Sequence, residues 1–305
     1  MNTIFNEREG LQLFADLQTT EGLSAEMKTF YDKTLIDEAG ANLVHEQFGQ
    51  KRPIPANGGK IIEFRKFSSL PKAVEPLTEG VTPDGKSLNV TAVTATVKQY
   101  GDYITQTDLL ELTAVDNTIL EATKLLGRQA GVTLDTVVRD VLQSGTNVTY
   151  CPKVVDGVET EITSRSALTE GCQLTVDVVM QVVAKLRAQN APTINGKYVA
   201  IIHPYVAYDL MRDPEWVGAH KYADPDKLFA GEIGEIAGVR FVQTTEAKIY
   251  EGGIFATLFL GADAYGITDV EGGGLQMIVK QKGSSGTADP LDQRSSVGYT
   301  LAKAA

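Results

Sequence analysis

The sequence predicts an α+β fold, and three observations carry that reading. A proline-free amphipathic run over Thr118–Gln143 is long enough for one helix of about 39 Å. Two strand-like runs, 60–67 and 90–100, flank a long polar stretch. The last third alternates short apolar strand signals with short helices, as mixed layers of helix and sheet require. Strand order does not follow from any of these.

In chain order, residues 1–23 have no strong period and read as an extended or loosely helical arm. Ser24 then has the character of a helix cap, with Glu26 in the first turn where the helix dipole favours a carboxylate. Met27, Phe30, Tyr31, Leu35, Ala39, Leu43 and Phe48 recur at spacings near three and four. They predict one amphipathic helix, or two broken near Gly40, ending at Gly49. In the strand at 60–67, Ile62, Phe64 and Lys66 share a face. In the strand at 90–100, Val90, Ala92 and Thr94 oppose Thr91, Val93 and Ala95, a composition suited to strands because Cβ-branching is tolerated there. Pro71, Pro76, Gly80, Pro83, Asp84 and Gly85 lie between the two and are turn residues. The connection is too long for a tight hairpin. It is either a surface flap or an arm that covers a neighbouring subunit.

Thr118 and Glu121 have the spacing of a capping box at the head of the long helix. Its expected apolar stripe is Leu126, Ala130, Leu134, Val137 and Val141. Gly127 and Gly131 interrupt it at a spacing of four, each costing about 1 kcal/mol of helix propensity relative to alanine. Close approach of another backbone would offset that cost. After Ser144-Gly145, residues 146–173 read as a short polar β excursion with an Asp156-Gly157 turn. A helix over 174–189 should bury Val176, Val179, Val183 and Leu186. A buried strand at 198–202, a short helix at 205–211 stopped by Asp213-Pro214, and a loop from Trp216 follow. A helical turn at 226–230 precedes further strands at 239–244, 255–260, 264–268, 275–281 and 296–301.

Composition narrows the function. The 305 residues carry 28 Lys and Arg against 39 Asp and Glu, a net charge of -11. Such a chain disfavours sequence-specific DNA reading, which needs clustered cations. Length and 43% hydrophobic content allow a real core. The two cysteines, Cys151 and Cys172, do not make a disulfide framework, although they could pair. Asn6, Glu7, Arg8 and Glu9 precede any apolar run, so no secretion signal is expected, and no window approaches the roughly 18 apolar residues of a membrane helix.

The three histidines, His45, His203 and His220, have no metal-site spacing. His45 is expected as a partly covered surface residue of the first helix. His203, before a proline at a strand end, suits a turn hydrogen bond or a catalytic group. Asn57-Gly58-Gly59-Lys60 lacks the spacing of a phosphate loop, and Glu271-Gly272-Gly273-Gly274 reads as a turn. No serine sits in a nucleophile elbow. The expectation is no catalytic, cofactor or metal residue.

The arrangement of arm, helix, long strand-loop-strand, very long helix and closing strands resembles the major capsid protein of tailed bacteriophages, the HK97-like fold. Local motifs carry the likeness further, to the N4-like phage branch: Phe30-Tyr31-Asp32-Lys33 with Leu35, then Phe48-Gly49-Gln50. Residues 87–100 with Gly101-Asp102-Tyr103 resemble the returning strand of its extended loop. Asp289-Pro290-Leu291-Asp292-Gln293-Arg294 and Gly298-Tyr299 resemble its closing segment.

The resemblance implies an N-terminal arm and helix (1–55), an extended loop (56–104) and a peripheral domain with its spine helix (105–194). It also implies an axial domain (195–270) and C-terminal strands returning to the peripheral domain (271–305). The function implied is a shell subunit that assembles as pentamers and hexamers around double-stranded DNA, without sequence-specific binding. It would be made in a host bacterial cytoplasm and end in the virion. Implied partners are other copies, a scaffolding protein, a portal and a decoration protein, with no cofactor and no membrane. Candidate assembly residues are Phe64, Phe67, Val93 and Val97 in the loop and Gly127 and Gly131 in the long helix. Two other readings stay open: an encapsulin-like compartment shell, and a soluble acidic enzyme using scattered Asp, Glu and His203.

Overall fold

A computed structural model describes residues 25–40, 43–82, 84–113, 118–155, 158–223, 234–284 and 289–305. Helix α1 spans Ala25–Gly40, and a short strand β1, Gln50–Lys51, follows a turn segment. Strands β2 (Ile61–Phe67) and β3 (Val90–Thr96) pair only with each other, while β4 is Lys98–Thr107. Helix α2 (Asp108–Thr113) and the long α3 (Thr118–Gln143) precede a small hairpin of β5 (Lys153–Val155) and β6 (Val158–Thr160). Then come α4 (Val176–Ala188), β7 (Tyr198–Ile202), α5 (Pro204–Met211) and α6 (Pro214–Ala223). Strands β8 (Glu235–Ile236), β9 (Val239–Gln243), β10 (Ile249–Tyr250), β11 (Ile254–Phe255) and β12 (Leu258–Leu260) lead to β13 (Gly266–Asp269), β14 (Gln276–Lys280) and β15 (Arg294–Ala304).

Two sheets organise two cores. In the first, β15 is central: one edge pairs along its length with β4, the other with β14 and then β13, and β1 adds to β13 in parallel. Helix α3 and α1 cover it, so that Leu35, Leu126, Ala130, Leu134, Met277, Val297, Tyr299 and Leu301 form one buried cluster. In the second, the order is β12-β7-β9-β8, with β7 and β9 parallel. Strand β7 is buried at every position, as its unbroken run Tyr198-Val199-Ala200-Ile201-Ile202 requires of a strand covered on both faces. Helices α4, α5 and α6 pack there, with Val179, Leu210, Trp216 and Val239 among the buried side chains. A division at residue 195 would therefore run through this core, because α4 shares it with β7 and β9. Strand β13, placed with the second unit on sequence grounds, pairs instead in the β15 sheet.

Other differences have local causes. The long helix buries Leu126, Ala130, Leu134 and Val138, and Val141 is exposed; the contact follows the four-residue ridge that α1 and β15 cross. Thr118 and Glu121 find partners elsewhere: Thr118 Oγ1 donates to Gln106 Oε1 at 3.1 Å, and Glu121 pairs with Lys124 at 2.8 Å. The expected strand 90–100 is two strands broken at Val97, where the chain leaves β2 and joins β15. Trp216 lies in helix α6, not a loop. Pro214 fits the first turn of that helix, and Asp213 Oδ1 accepts from Glu215 N at 2.9 Å. The other oxygen of Asp213 accepts from Val176 N at 2.9 Å, so one carboxylate serves the N-termini of two helices. The single strand expected at 255–260 is divided between β11 and β12. The Ser24 cap, the arm before it, the Asp156-Gly157 turn and the helical turn at 226–230 lie outside the described residues.

Candidate assembly surface

The strand pair β2–β3 is a ribbon with two open edges. Its register runs from Ile61 opposite Thr96 to Phe67 opposite Val90. A two-stranded ribbon is marginal in water unless something covers it. Among the described residues, the cover from the rest of the chain reaches its base and the middle of β2. The ring of Phe64 lies against Gly266 of β13, where a β-carbon would come within 2.5 Å of it. Val97 is half-buried at the ribbon's base, and its N–H donates to Lys60 O at 2.9 Å. Phe67 and Val93 are 60% and 57% exposed. Beyond them, Leu70, Val74, Leu77, Val81 and Leu88 are exposed along a segment with no ladder of its own.

Of the four loop residues named from the sequence, Val97 lies at the base, Phe64 and Val93 stand opposite each other midway along the ribbon, and Phe67 lies at its far end. The glycines do something different. A β-carbon on Gly131 would lie 2.4 Å from Ala39 O, and one on Gly127 2.9 Å from Leu35 O. Both are buried under α1, so packing within the chain occupies them.

Beside this contact is a buried polar cluster. Asp135 Oδ1 accepts from Val44 N and His45 N at 2.8 and 2.7 Å, and its Oδ2 is 2.6 Å from His45 Nδ1. One proton lies between these two atoms, since the ring nitrogen and the carboxyl oxygen cannot both accept. His45 is fully buried in the turn after α1, not on a helix surface, because Asp135 and two turns of backbone enclose it. Tyr265 donates its hydroxyl proton to His45 O, and Glu46 pairs with Lys303 and, at 3.5 Å, with Lys51. The cluster holds the start of β1 against α3 and the end of β15. Sequence reasoning passed over it; the signal was Asp135, a carboxylate one helical turn from Gly131 on the stripe that faces the core.

A second polar joint links α3 to the other core. Arg139 Nη1 donates to Glu246 O at 2.8 Å, and Lys248 Nζ meets Asp140 Oδ1 at 3.0 Å. Burial pushes the Asp140 carboxyl up, but hydrogen bonds and charge from Lys248 and Arg139 outweigh it and hold the group below the ordinary value. The Arg165 guanidinium stacks 3.7 Å from the centre of the Tyr250 ring, and Tyr250 reaches Gln143 at 3.3 Å.

His203 caps α5, its Nδ1 accepting from Tyr205 N at 3.2 Å, with Phe255 stacked 4.7 Å away. Burial lowers its pKa, which agrees with an unprotonated accepting nitrogen. Among the described residues no three His, Cys, Asp or Glu side chains gather as a metal site, and no helix is long and apolar enough to cross a membrane.

The sequence profile of the phage capsid protein family matches residues 90–300, more than half of the chain. The chain belongs to the phage capsid protein family. Solved capsids of that kind share its fold. The capsid of the cyanophage P-SCSP1u superposes with a TM-score of 0.63 at 14% identity, covering 86% of this chain and 84% of that one. The head of Helicobacter pylori bacteriophage KHP40 gives 0.63 at 12% identity, over 100% of this chain and 92% of that one. Cyanophage Pam1 gives 0.60 at 14%, over 88% and 86%. No curated protein matches the chain. The family and the fold together make this a structural protein of the head shell, a component of the virion, with the HK97-like architecture of tailed-phage major capsid proteins.

Proposed function

We propose that this capsid protein assembles as pentamers and hexamers into a closed icosahedral shell around double-stranded DNA, and that the β2–β3 ribbon with residues 68–89 is its principal arm onto a neighbouring copy. The observation that carries this reading is the ribbon itself. Among the described residues no further strand pairs with either edge, Phe67 and Val93 on it are 60% and 57% exposed, and Leu77 in the segment beyond it is 77% exposed. A neighbour would supply what the chain does not: strand partners along an edge and cover for the apolar face. A stable contact of ordinary size buries about 1,600 Å², and a shell subunit makes several.

On this reading the β15 sheet with α1 and α3 is the peripheral unit, and the β7 sheet with its helices is the axial unit. The role is structural, without catalysis or cofactor. The net charge of -11 suits a container that must not hold its DNA tightly, with counterions screening the remainder. Assembly in a bacterial cytoplasm, with a separate scaffolding protein, a portal and a decoration protein as partners, completes the proposal. The likeness of its motifs to the N4-like branch belongs to it as well.

Deleting residues 70–85 tests the arm. The expected product is a folded, soluble subunit that forms no closed shells. Normal shells in micrographs of the deletion variant would overturn the assignment.

A further inference from the structure

We propose that Cys151 and Cys172 are an oxidation site, forming an intrachain disulfide that clips the β5–β6 hairpin to the start of α4 when the folded chain meets a disulfide oxidant. The inference does not rest on the shell reading. Both cysteines are reduced and half-buried. They stand on two segments that the backbone already ties together. Val154 N donates to Gly171 O at 3.3 Å, and a β-carbon on Gly171 would lie 3.6 Å from Val154 O and 3.7 Å from Lys153 Cγ. Cys151 is two residues from Lys153, and Cys172 is next to Gly171. A disulfide needs Cα atoms about 4.4–6.8 Å apart, so the two segments, already joined three residues from Cys151 and one residue from Cys172, must bring the cysteines together for the bond to close.

The two ends differ in what holds them. Cys151 packs its side chain against the core of α4, β7 and β9. Cys172 closes a turn, its N–H donating to Thr169 O at 2.9 Å and its Sγ accepting from Thr169 N at 3.4 Å. Rotation about its Cα–Cβ bond frees that sulfur. Burial first, and the charge of Cys172 second, push the Cys151 thiol up to about 11. Cys151 stays protonated near neutrality and leaves the first attack to Cys172.

With oxidised glutathione the steps balance. The Cys172 thiolate attacks one sulfur, the glutathione S–S bond breaks, and one glutathione thiolate leaves. Cys151 loses its proton and attacks the Cys172 sulfur, and the second glutathione thiolate leaves. The two protein thiols are oxidised to one disulfide, one glutathione disulfide is reduced, and the two protons end on the two glutathiones. In a reducing compartment the bond is absent; outside it the bond is made.

The test uses the full chain. Folded protein is incubated with oxidised glutathione, denatured, alkylated with iodoacetamide without reduction, and digested with trypsin. Cleavage after Lys153 and Arg165 places the cysteines on separate peptides. The expected result is a linked pair of peptides from one chain, an intact mass lower by two hydrogens, and no alkylated cysteine. Cys151→Ser should instead stall with glutathione on Cys172, and Cys172→Ser should leave Cys151 unmodified. Two alkylated thiols, a lasting glutathione adduct in the parent protein, or a link between two chains would each overturn the proposal.

Discussion

Gly131 faces Ala39 so closely that even a methyl group has no room, since its β-carbon would lie 2.4 Å from a carbonyl oxygen. Gly131→Ala should therefore lower the stability of the unassembled subunit by about 1–3 kcal/mol, against the roughly 1 kcal/mol of helix propensity that alanine adds. Urea titration measures the difference, and an equal or more stable variant would mean that α1 does not sit this near. The four-residue glycine spacing was legible in the sequence as a demand for close approach; the partner was not, because nothing local says which backbone arrives. Asp135 makes the second test. Asp135→Ala removes the acceptor for Val44 N, His45 N and the His45 ring in a fully buried site, so about 3–5 kcal/mol should be lost in the same titration. A loss under about 0.5 kcal/mol, the range of surface substitutions, would show that the cluster does not hold the turn.

At the scale of elements, the proposed arm lets folding and association be tested separately. Phe67→Ser with Val93→Ser should leave the unfolding free energy of the isolated subunit within about 0.5 kcal/mol of the parent and still stop shell formation, read by sedimentation. If shells form as before, the open part of the ribbon is not the arm. The joint between α3 and residues 246–248 has its own signature in pH. The Asp140 carboxyl is held below its ordinary value of 3.8 in the folded chain. Its contribution is complete above that value and lost as pH falls through the lower folded value. The stability gap between the parent and Asp140→Asn should thus be open at neutral pH and close in acid; a gap independent of pH would contradict the ion pair. Strands 61–67 and 90–96, helix α3 and strand β7 were legible because each has a clear period or an unbroken apolar run. The break at Val97, helix α6 and the small strands β1, β8 and β10 were not. Pairing to distant residues defines β1 and the break, β8 and β10 are two-residue strands paired locally with β9 and β11 and too short to show a period, and burial of Trp216 against Phe241 outweighs the loop signals around α6.

For the whole molecule, the fold class followed from element lengths and order, while the division into two cores did not. Helix α4 precedes the expected boundary in sequence and lies beyond it in space, since its valines pack on β7 and β9. The C-terminal strand explains why such order is hidden: β15 pairs with β4, almost two hundred residues earlier, across the whole of the second core. Among the described residues, the same topology leaves the ribbon and the segments 68–82 and 84–89 outside both sheets, and the proposed shell is the setting in which they would be covered. Electron cryomicroscopy of particles sedimented from cells making this chain together with the proposed scaffolding protein tests the account most directly. The expected image is a closed shell with fivefold and sixfold clusters, in which residues 61–96 of each subunit lie across an adjacent one. A chain that stays monomeric or dimeric under those conditions, or a shell whose ribbons fold back on their own subunit, would contradict it.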